Sequence, residues 1–163
     1  MKIPVEVYVI RLKLLVGAWF IFALIPFATA DVLLTDISGK KISFSSLKGK
    51  WVLINYWASW CEPCLDEIAQ LNKFHQTQKE KVALFAVNFD YLPVQEQVDL
   101  IKKLHIHYPS LSEDPGSLLG LEQVRGVPAT FVFDPDGNLS TTLYGSQTLS
   151  SLNEATKQNN RIM

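Results

Sequence analysis

The chain has 163 residues, 48% hydrophobic and 19% charged, with 15 basic residues against 16 acidic ones and a net charge of −1. That length suits one domain with a real core, and the charge pattern contains no basic stripe with interleaved aromatics, which argues against a nucleic-acid partner. The two cysteines, Cys61 and Cys64, are separated only by Glu62 and Pro63, so a bridge between them restricts the unfolded chain little and makes a poor staple.

Residues 1–30 read as a targeting segment. Lys2, Arg11 and Lys13 precede an apolar run from Leu14 to Phe27, and Ala28-Thr29-Ala30 offers the small residues of a signal-peptidase site, with Asp31 beyond. As a helix the run spans about 21 Å, short of the roughly 30 Å hydrocarbon core of a bilayer. A retained membrane anchor is the alternative, since Lys13 and Arg11 can snorkel. Both readings leave the basic end in the cytoplasm and residues 31–163 in the periplasm or an equivalent extracytoplasmic space.

Val32–Thr35 and Ile42–Phe44 flank the turn signal Ser38-Gly39-Lys40, which predicts a short leading hairpin. Trp51–Trp57 is almost continuously apolar and rich in β-branched and aromatic residues, the pattern of a central strand covered on both faces. Leu65, Ile68, Leu71 and Phe74 or His75 recur at helical spacing, which predicts a helix from Glu62 to Gln78. Val82–Phe89 is a second buried strand, and Val94, Val98, Ile101 and Leu104 form the apolar stripe of a second helix. Thr130–Phe133 and Leu139–Tyr144, joined by Asp134-Pro135-Asp136-Gly137-Asn138, read as an antiparallel hairpin. Leu149–Lys157 closes the domain as a helix, and Gln158–Met163 reads as a frayed polar tail. The order β-α-β-α-β-β-α implies an α/β domain with a mixed sheet and helices on both faces.

The chemistry is expected at the cysteines. Cys61 follows a buried strand and opens a helix, where free N–H groups and the helix dipole stabilise a thiolate. Pro63 suits the first helical turn, where its missing N–H costs no hydrogen bond. Cys64 would lie one turn on and deeper, giving an exposed attacking thiol beside a buried resolving one, as thiol–disulfide exchange requires. Cys-x-x-Cys is also half of a zinc site, but His105 and His107, the one histidine pair, have no third ligand nearby. No metal or other cofactor is expected. His75 is expected to be a packed core histidine.

Trp57-Ala58-Ser59-Trp60-Cys61-Glu62-Pro63-Cys64 resembles the active site of thioredoxin-like proteins. The surrounding sequence is similar to their extracytoplasmic TlpA/ResA-like branch, which includes cytochrome c maturation reductases. The segments Gly39–Lys50, Gly126-Val127-Pro128-Ala129-Thr130 and Asp134-Pro135-Asp136-Gly137 carry the similarity further, over about residues 32–157. The resemblance implies a thioredoxin-like fold and a thiol:disulfide oxidoreductase. It also implies a cis Pro128 facing the cysteines, with Val127 pairing to substrate backbone and Trp60 beside the site. Trp57 is either a second flanking residue or core.

Glu67, three residues after Cys64, shares its helical face. The resemblance implies that it belongs to the active-site surroundings and relays protons; as a bare sequence feature it is an acid favouring the helix dipole. Asn55 stands where cytoplasmic thioredoxins carry a buried aspartate, and an amide cannot exchange a proton near neutral pH. The implied partners are protein disulfides, apocytochrome c among them, and a membrane electron donor of the DsbD or CcdA type. Net oxidation of folding proteins is the competing activity. A Sco-type copper chaperone is a third reading, although that type uses Cys-x-x-x-Cys and a distant histidine. Thioredoxin-fold peroxidases place their threonine and cysteine differently.

Overall fold

The computed structural model describes residues 31–157. The expectations for residues 1–30 and for the tail 158–163 lie outside the described residues. The apolar run Trp51–Trp57 forms the central strand, and around it the order is β1 (Leu33–Thr35), β2 (Lys41–Ser43), a 3₁₀ turn (Phe44–Leu47), β3 (Trp51–Trp57), α1 (Glu62–Gln78), β4 (Val82–Asn88), α2 (Val94–Lys103), β5 (Ser110–Leu111), β6 (Ala129–Phe133), β7 (Leu139–Tyr144) and α3 (Leu149–Ala155). β1 and β2 pair as the expected antiparallel hairpin, Leu34 opposite Ile42.

The main sheet has the order β5-β4-β3-β6-β7. β4 runs parallel to β3, with Asn55 opposite Ala86, and β6 runs antiparallel, with Asn55 opposite Thr130. β7 returns antiparallel to β6 through the predicted turn. Asp134 Oδ1 accepts the N–H groups of Asp136 and Asn138 there, at 3.0 and 2.9 Å, and Gly137 takes the left-handed φ of 89° that favours glycine. The two-residue β5 was not predicted. It pairs parallel to β4 after α2.

Successive residues of β3 point to opposite faces, and each face has its own core. Leu53 and Trp57 meet Ile68, Leu71 and Phe74 of α1, Ile101 of α2 and Leu152 of α3. Val52, Ile54 and Tyr56 meet Phe85, Phe131, Phe133 and Leu34, with Phe44, Leu47, Leu119, Leu121 and Val124 packed against them. Tyr56 and Phe131 stack edge to face at 5.5 Å, an arrangement worth about 0.5–1.5 kcal/mol beyond burial alone.

The expected mixed sheet with its helices is present, and the described helices divide unequally between its faces. Among the described residues, the three α-helices bury their apolar residues in the first cluster, and the 3₁₀ turn packs on the second face. The cause is topological: β3-α1-β4 and β4-α2-β5 step across the sheet in one direction. Right-handed crossovers therefore put both helices on the same side.

Within α2 the phase also differs from expectation. Val94 is 41% exposed while Gln97 is buried, its amide Nε2 donating to Leu92 O at 2.8 Å.

Candidate active site

β3 ends at Trp57, and the chain turns through Ala58, Ser59 and Trp60 before α1 starts at Glu62. The turn is held from the neighbouring strand. Phe89 N–H donates to Trp57 O at 2.8 Å, Asp90 Oδ2 accepts Ser59 N–H at 2.9 Å, and Asn88 Nδ2 donates to the same carboxylate oxygen at 2.7 Å. Cys61 is thereby fixed as the N-cap of α1, and its Sγ accepts the N–H of Cys64 at 3.3 Å. Pro63 lies in the first turn, as expected. Cys61 and Cys64 are joined by a disulfide, so the structure describes the oxidised state.

The expected contrast between an exposed Cys61 and a buried Cys64 is corrected here: the two are 4% and 1% exposed. Both sulfurs belong to the first core cluster, together with Ala58 and Ile68, and Val127 packs against that cluster. A disulfide presents its sulfurs to each other and to this apolar cover, so exposure no longer distinguishes them. The open neighbours are Glu62, Pro63 and, at 70% exposure, Trp60. Trp57 is core, 1% exposed. The Val127–Pro128 bond is cis, as the resemblance implies, with Pro128 buried and Val127 half-buried at the entrance to β6.

Glu67 is 1% exposed on the inner face of α1. Its Oε1 accepts Asn55 Nδ2 and its Oε2 accepts the backbone N–H of Gln147, each at 2.8 Å. Burial pushes this carboxyl up to about 7, against the pull of the two N–H donors. Asn55 also donates to Thr130 Oγ1 at 3.1 Å. Asn55 and Glu67 stand out in the sequence; Thr130, Gln147 and the buried Tyr108 beside them do not. The last two lie 80 and 53 positions from the groups they touch, and no local pattern brings them together.

The other titratable candidates sit elsewhere. His75 is half-buried rather than core, its Nδ1 enclosed without a protein partner, and burial holds the ring below its usual pKa. The rings of His105 and His107 are 6.4 Å apart, and no third His, Cys, Asp or Glu joins them to form a metal-binding group among the described residues.

The arrangement has the parts of a dithiol–disulfide exchanger: a sulfur at a helix N-terminus, a second sulfur one turn on, and a buried carboxyl tuned towards neutrality. Similar proteins carry the corresponding activity. The AhpC/TSA family pattern matches residues 25–142. The thiol-disulfide oxidoreductase ResA of Bacillus cereus is 31% identical over 123 residues, covering 75% of this chain and 70% of that protein. The crystal structure of StoA from Bacillus subtilis superposes with a TM-score of 0.63 at 28% identity, over 80% of this chain and 98% of that one. The pneumococcal exposed lipoprotein thioredoxin Etrx1 of Streptococcus pneumoniae gives 0.66 at 25% identity, over 77% and 96%. A redox cysteine pair on a thioredoxin-like fold, shared with such relatives, makes this chain a member of the AhpC/TSA family and of its TlpA/ResA-like branch of thiol-disulfide oxidoreductases.

Proposed function

We propose that the chain acts outside the cytoplasm as a protein-disulfide reductase. Cys61 is the nucleophile, Cys64 the resolving thiol and Glu67 the proton acceptor, while Trp60, Val127 and Pro128 receive the substrate. The N-cap position of Cys61 carries this reading: its sulfur already accepts an N–H of the first helical turn, where the helix dipole also favours an anion. In the reduced enzyme the Cys61 thiolate attacks one sulfur of a substrate disulfide, forming a mixed disulfide and releasing a substrate thiolate. Cys64 then gives its proton to Glu67 and attacks Cys61 Sγ, releasing the second substrate thiolate. The enzyme is left with the Cys61–Cys64 disulfide described here. A dithiol donor restores the two electrons, and a membrane protein of the DsbD or CcdA type fits that role.

Glu62 supports the reducing direction. Exposed and adjacent to Cys61, its carboxylate repels a thiolate and disfavours the state that makes strong oxidants oxidising, although solvent and salt screen it. Val127 immediately precedes Pro128 and lies two residues before Ala129, the first ladder residue of β6, which leaves its backbone positioned to pair with an extended substrate. The charged leader with its Ala28-Thr29-Ala30 site supports export with cleavage before Asp31, or retention as an anchor. The pneumococcal relative, an exposed lipoprotein thioredoxin, supports the same compartment. Polypeptide disulfides, that of apocytochrome c included, are the substrate class.

Trapping tests the whole reading. Cys64→Ser expressed in the native host should accumulate mixed disulfides through Cys61 to extracytoplasmic proteins carrying paired cysteines. Trapped cytoplasmic proteins, or no adduct beyond that of a Cys61→Ser control, would overturn it.

A further inference from the structure

Beneath Glu67 lies a polar residue that the exchange chemistry leaves unused. Tyr108 is 3% exposed, and its hydroxyl donates to Asn55 Oδ1 at 3.4 Å. Asn55 uses its two amide N–H groups on Glu67 Oε1, at 2.8 Å, and Thr130 Oγ1, at 3.1 Å. One donor and two acceptors therefore define the orientation of the amide. Turned over, it would set its carbonyl against the carboxylate and its NH2 against the phenol.

Tyr108 is itself delivered by a clamp. Asn72, on the same helix as Glu67, donates to His105 O at 2.8 Å and accepts the His107 N–H at 2.7 Å. This pins the turn in which His105 takes a φ of 55°, so α1 carries both the carboxyl and the side chain that fixes its indirect support.

We propose that Tyr108 and Asn55 are positioning residues of the exchange reaction: the Tyr108 hydroxyl locks the Asn55 amide, and the locked amide holds Glu67 ready to take the Cys64 proton. The proposal rests on the reading of Glu67 as proton acceptor. A buried carboxylate is tolerable only in so far as N–H donors face it. Glu67 has two, and one of them, the Gln147 backbone, is fixed by the chain. The other sits on a side chain whose orientation depends on Tyr108. Asn55 on β3 and the Gln147 backbone ahead of α3 hydrogen-bond Glu67, and Thr130 on β6 is reached through Asn55. Tyr108 from the turn after α2 feels the Glu67 charge, and Cys64 precedes Glu67 by one turn of α1. Of these, Tyr108 alone carries a titratable group in the oxidised protein, since Cys64 is held in the disulfide. Burial and the neighbouring Glu67 drive Tyr108 ionisation upward, out of the physiological range, so it acts as a fixed dipole. His75, whose ring lies 6.4 Å from that of Tyr108, is kept towards its neutral form by burial.

Tyr108→Phe preserves the buried ring and removes only the lock. In oxidised protein carrying ¹³C-carboxyl glutamate, the Glu67 NMR resonance should titrate about 0.5 pH unit higher than in wild type, because a mobile amide donates less to the carboxylate. The second step is read separately, as the rate at which Cys64 expels glutathione from a preformed Cys61–glutathione disulfide. Its pH midpoint should move by the same amount, about threefold in rate near neutrality, and the shift should vanish when Glu67→Gln is the background. Asn55→Ala should displace both readouts further; should it not fold, Tyr108→Phe alone decides. A Tyr108→Phe protein with wild-type carboxyl titration and release profile overturns the proposal. A shifted titration, together with a Glu67→Gln release profile identical to that of wild type, overturns instead the proton-acceptor reading beneath it.

Discussion

Replacing Glu67 with glutamine separates the charge of this group from its shape, and the consequence can be worked out for stability alone. In the unfolded chain the carboxyl titrates near its ordinary 4.5, whereas in the fold burial holds it up to about 7. Between those values the folded state binds the extra proton, so stability falls as pH rises through the window. The contribution is complete below about 4.5 and lost above about 7. At ~1.4 kcal/mol per pH unit the loss is roughly 3 kcal/mol. Glutamine does not titrate, but it also cannot accept two hydrogen bonds, one on each terminal atom. The donors Asn55 Nδ2 and Gln147 N–H would compete for one oxygen while the NH2 faces the other, a defect of about 1–3 kcal/mol at every pH. Protonated Glu67 escapes this cost because its hydroxyl oxygen still accepts. Wild type should therefore be the more stable protein at pH 4.5–5, and the advantage should disappear or reverse by pH 8. Urea denaturation of both oxidised proteins across that range measures the difference. His75 contributes with the opposite sign, its pKa depressed by burial adding stability as pH rises, but it is present in both proteins and cancels. A difference constant to within about 0.5 kcal/mol from pH 4.5 to 8, inside the usual error of such comparisons, would refute the reasoning.

Alkylation of the reduced protein at moderate pH should label Cys61 before Cys64, followed by peptide mapping; preferential labelling of Cys64 would reverse the assigned roles. Glu62→Gln should lower the Cys61 pKa and raise the reduction potential towards the oxidising side in an equilibrium titration against glutathione, and a shift the other way would remove the electrostatic case for a reductase. Thr148→Ala should lower stability by about 1 kcal/mol in urea, because it removes the capping box in which Thr148 and Ser151 satisfy each other's N–H groups at the start of α3. Mass spectrometry of protein from its native host should find Asp31 as the first residue, whereas an intact Met1 in the membrane fraction would identify the segment as an anchor.

The parts of this fold that sequence makes readable are those whose signal is local. The β3 run and the α1 periodicity yield Trp51–Trp57 and Glu62–Gln78 with the boundaries the structure shows, since each is long and strongly patterned. β5 is two residues long and has no period of its own; it is a strand because the crossover delivers Ser110 and Leu111 beside Ala86 and Val87. Gln97 is buried against the hydrophobic expectation, with its Nε2 paired to the Leu92 carbonyl, a partner hydropathy does not register. Cys61 was expected to be exposed because position on a helix is legible, whereas cover from Ala58 and from the distant Val127 segment is not. The polar network divides in the same way. Asn55 and Glu67 are conspicuous as polar residues on an apolar strand and an inward helix face. Tyr108 and Gln147 become partners only after the turn beyond α2 and the entry to α3 have packed.

That division bears on how the proposed mechanism works. Moving a proton from an ordinary thiol, near 8.5, to an ordinary glutamate, near 4.3, is uphill by about 4 pH units, or roughly 6 kcal/mol. With the acceptor raised to about 7, the gap to such a thiol falls to about 1.5 units, or roughly 2 kcal/mol. The gain comes from burial, which cysteine spacing and the Cys-Glu-Pro-Cys motif do not encode. Burial alone would overshoot, since a carboxyl without donors in an apolar core stays protonated well above neutral pH and has no room for a second proton. The two N–H groups from Asn55 and Gln147 oppose that drift. A residue in β3 and a backbone amide ahead of α3 therefore set the working range of a group on α1. In the proposed mechanism the motif supplies the sulfurs, and the tertiary fold supplies the proton affinity that lets the second sulfur act near neutral pH.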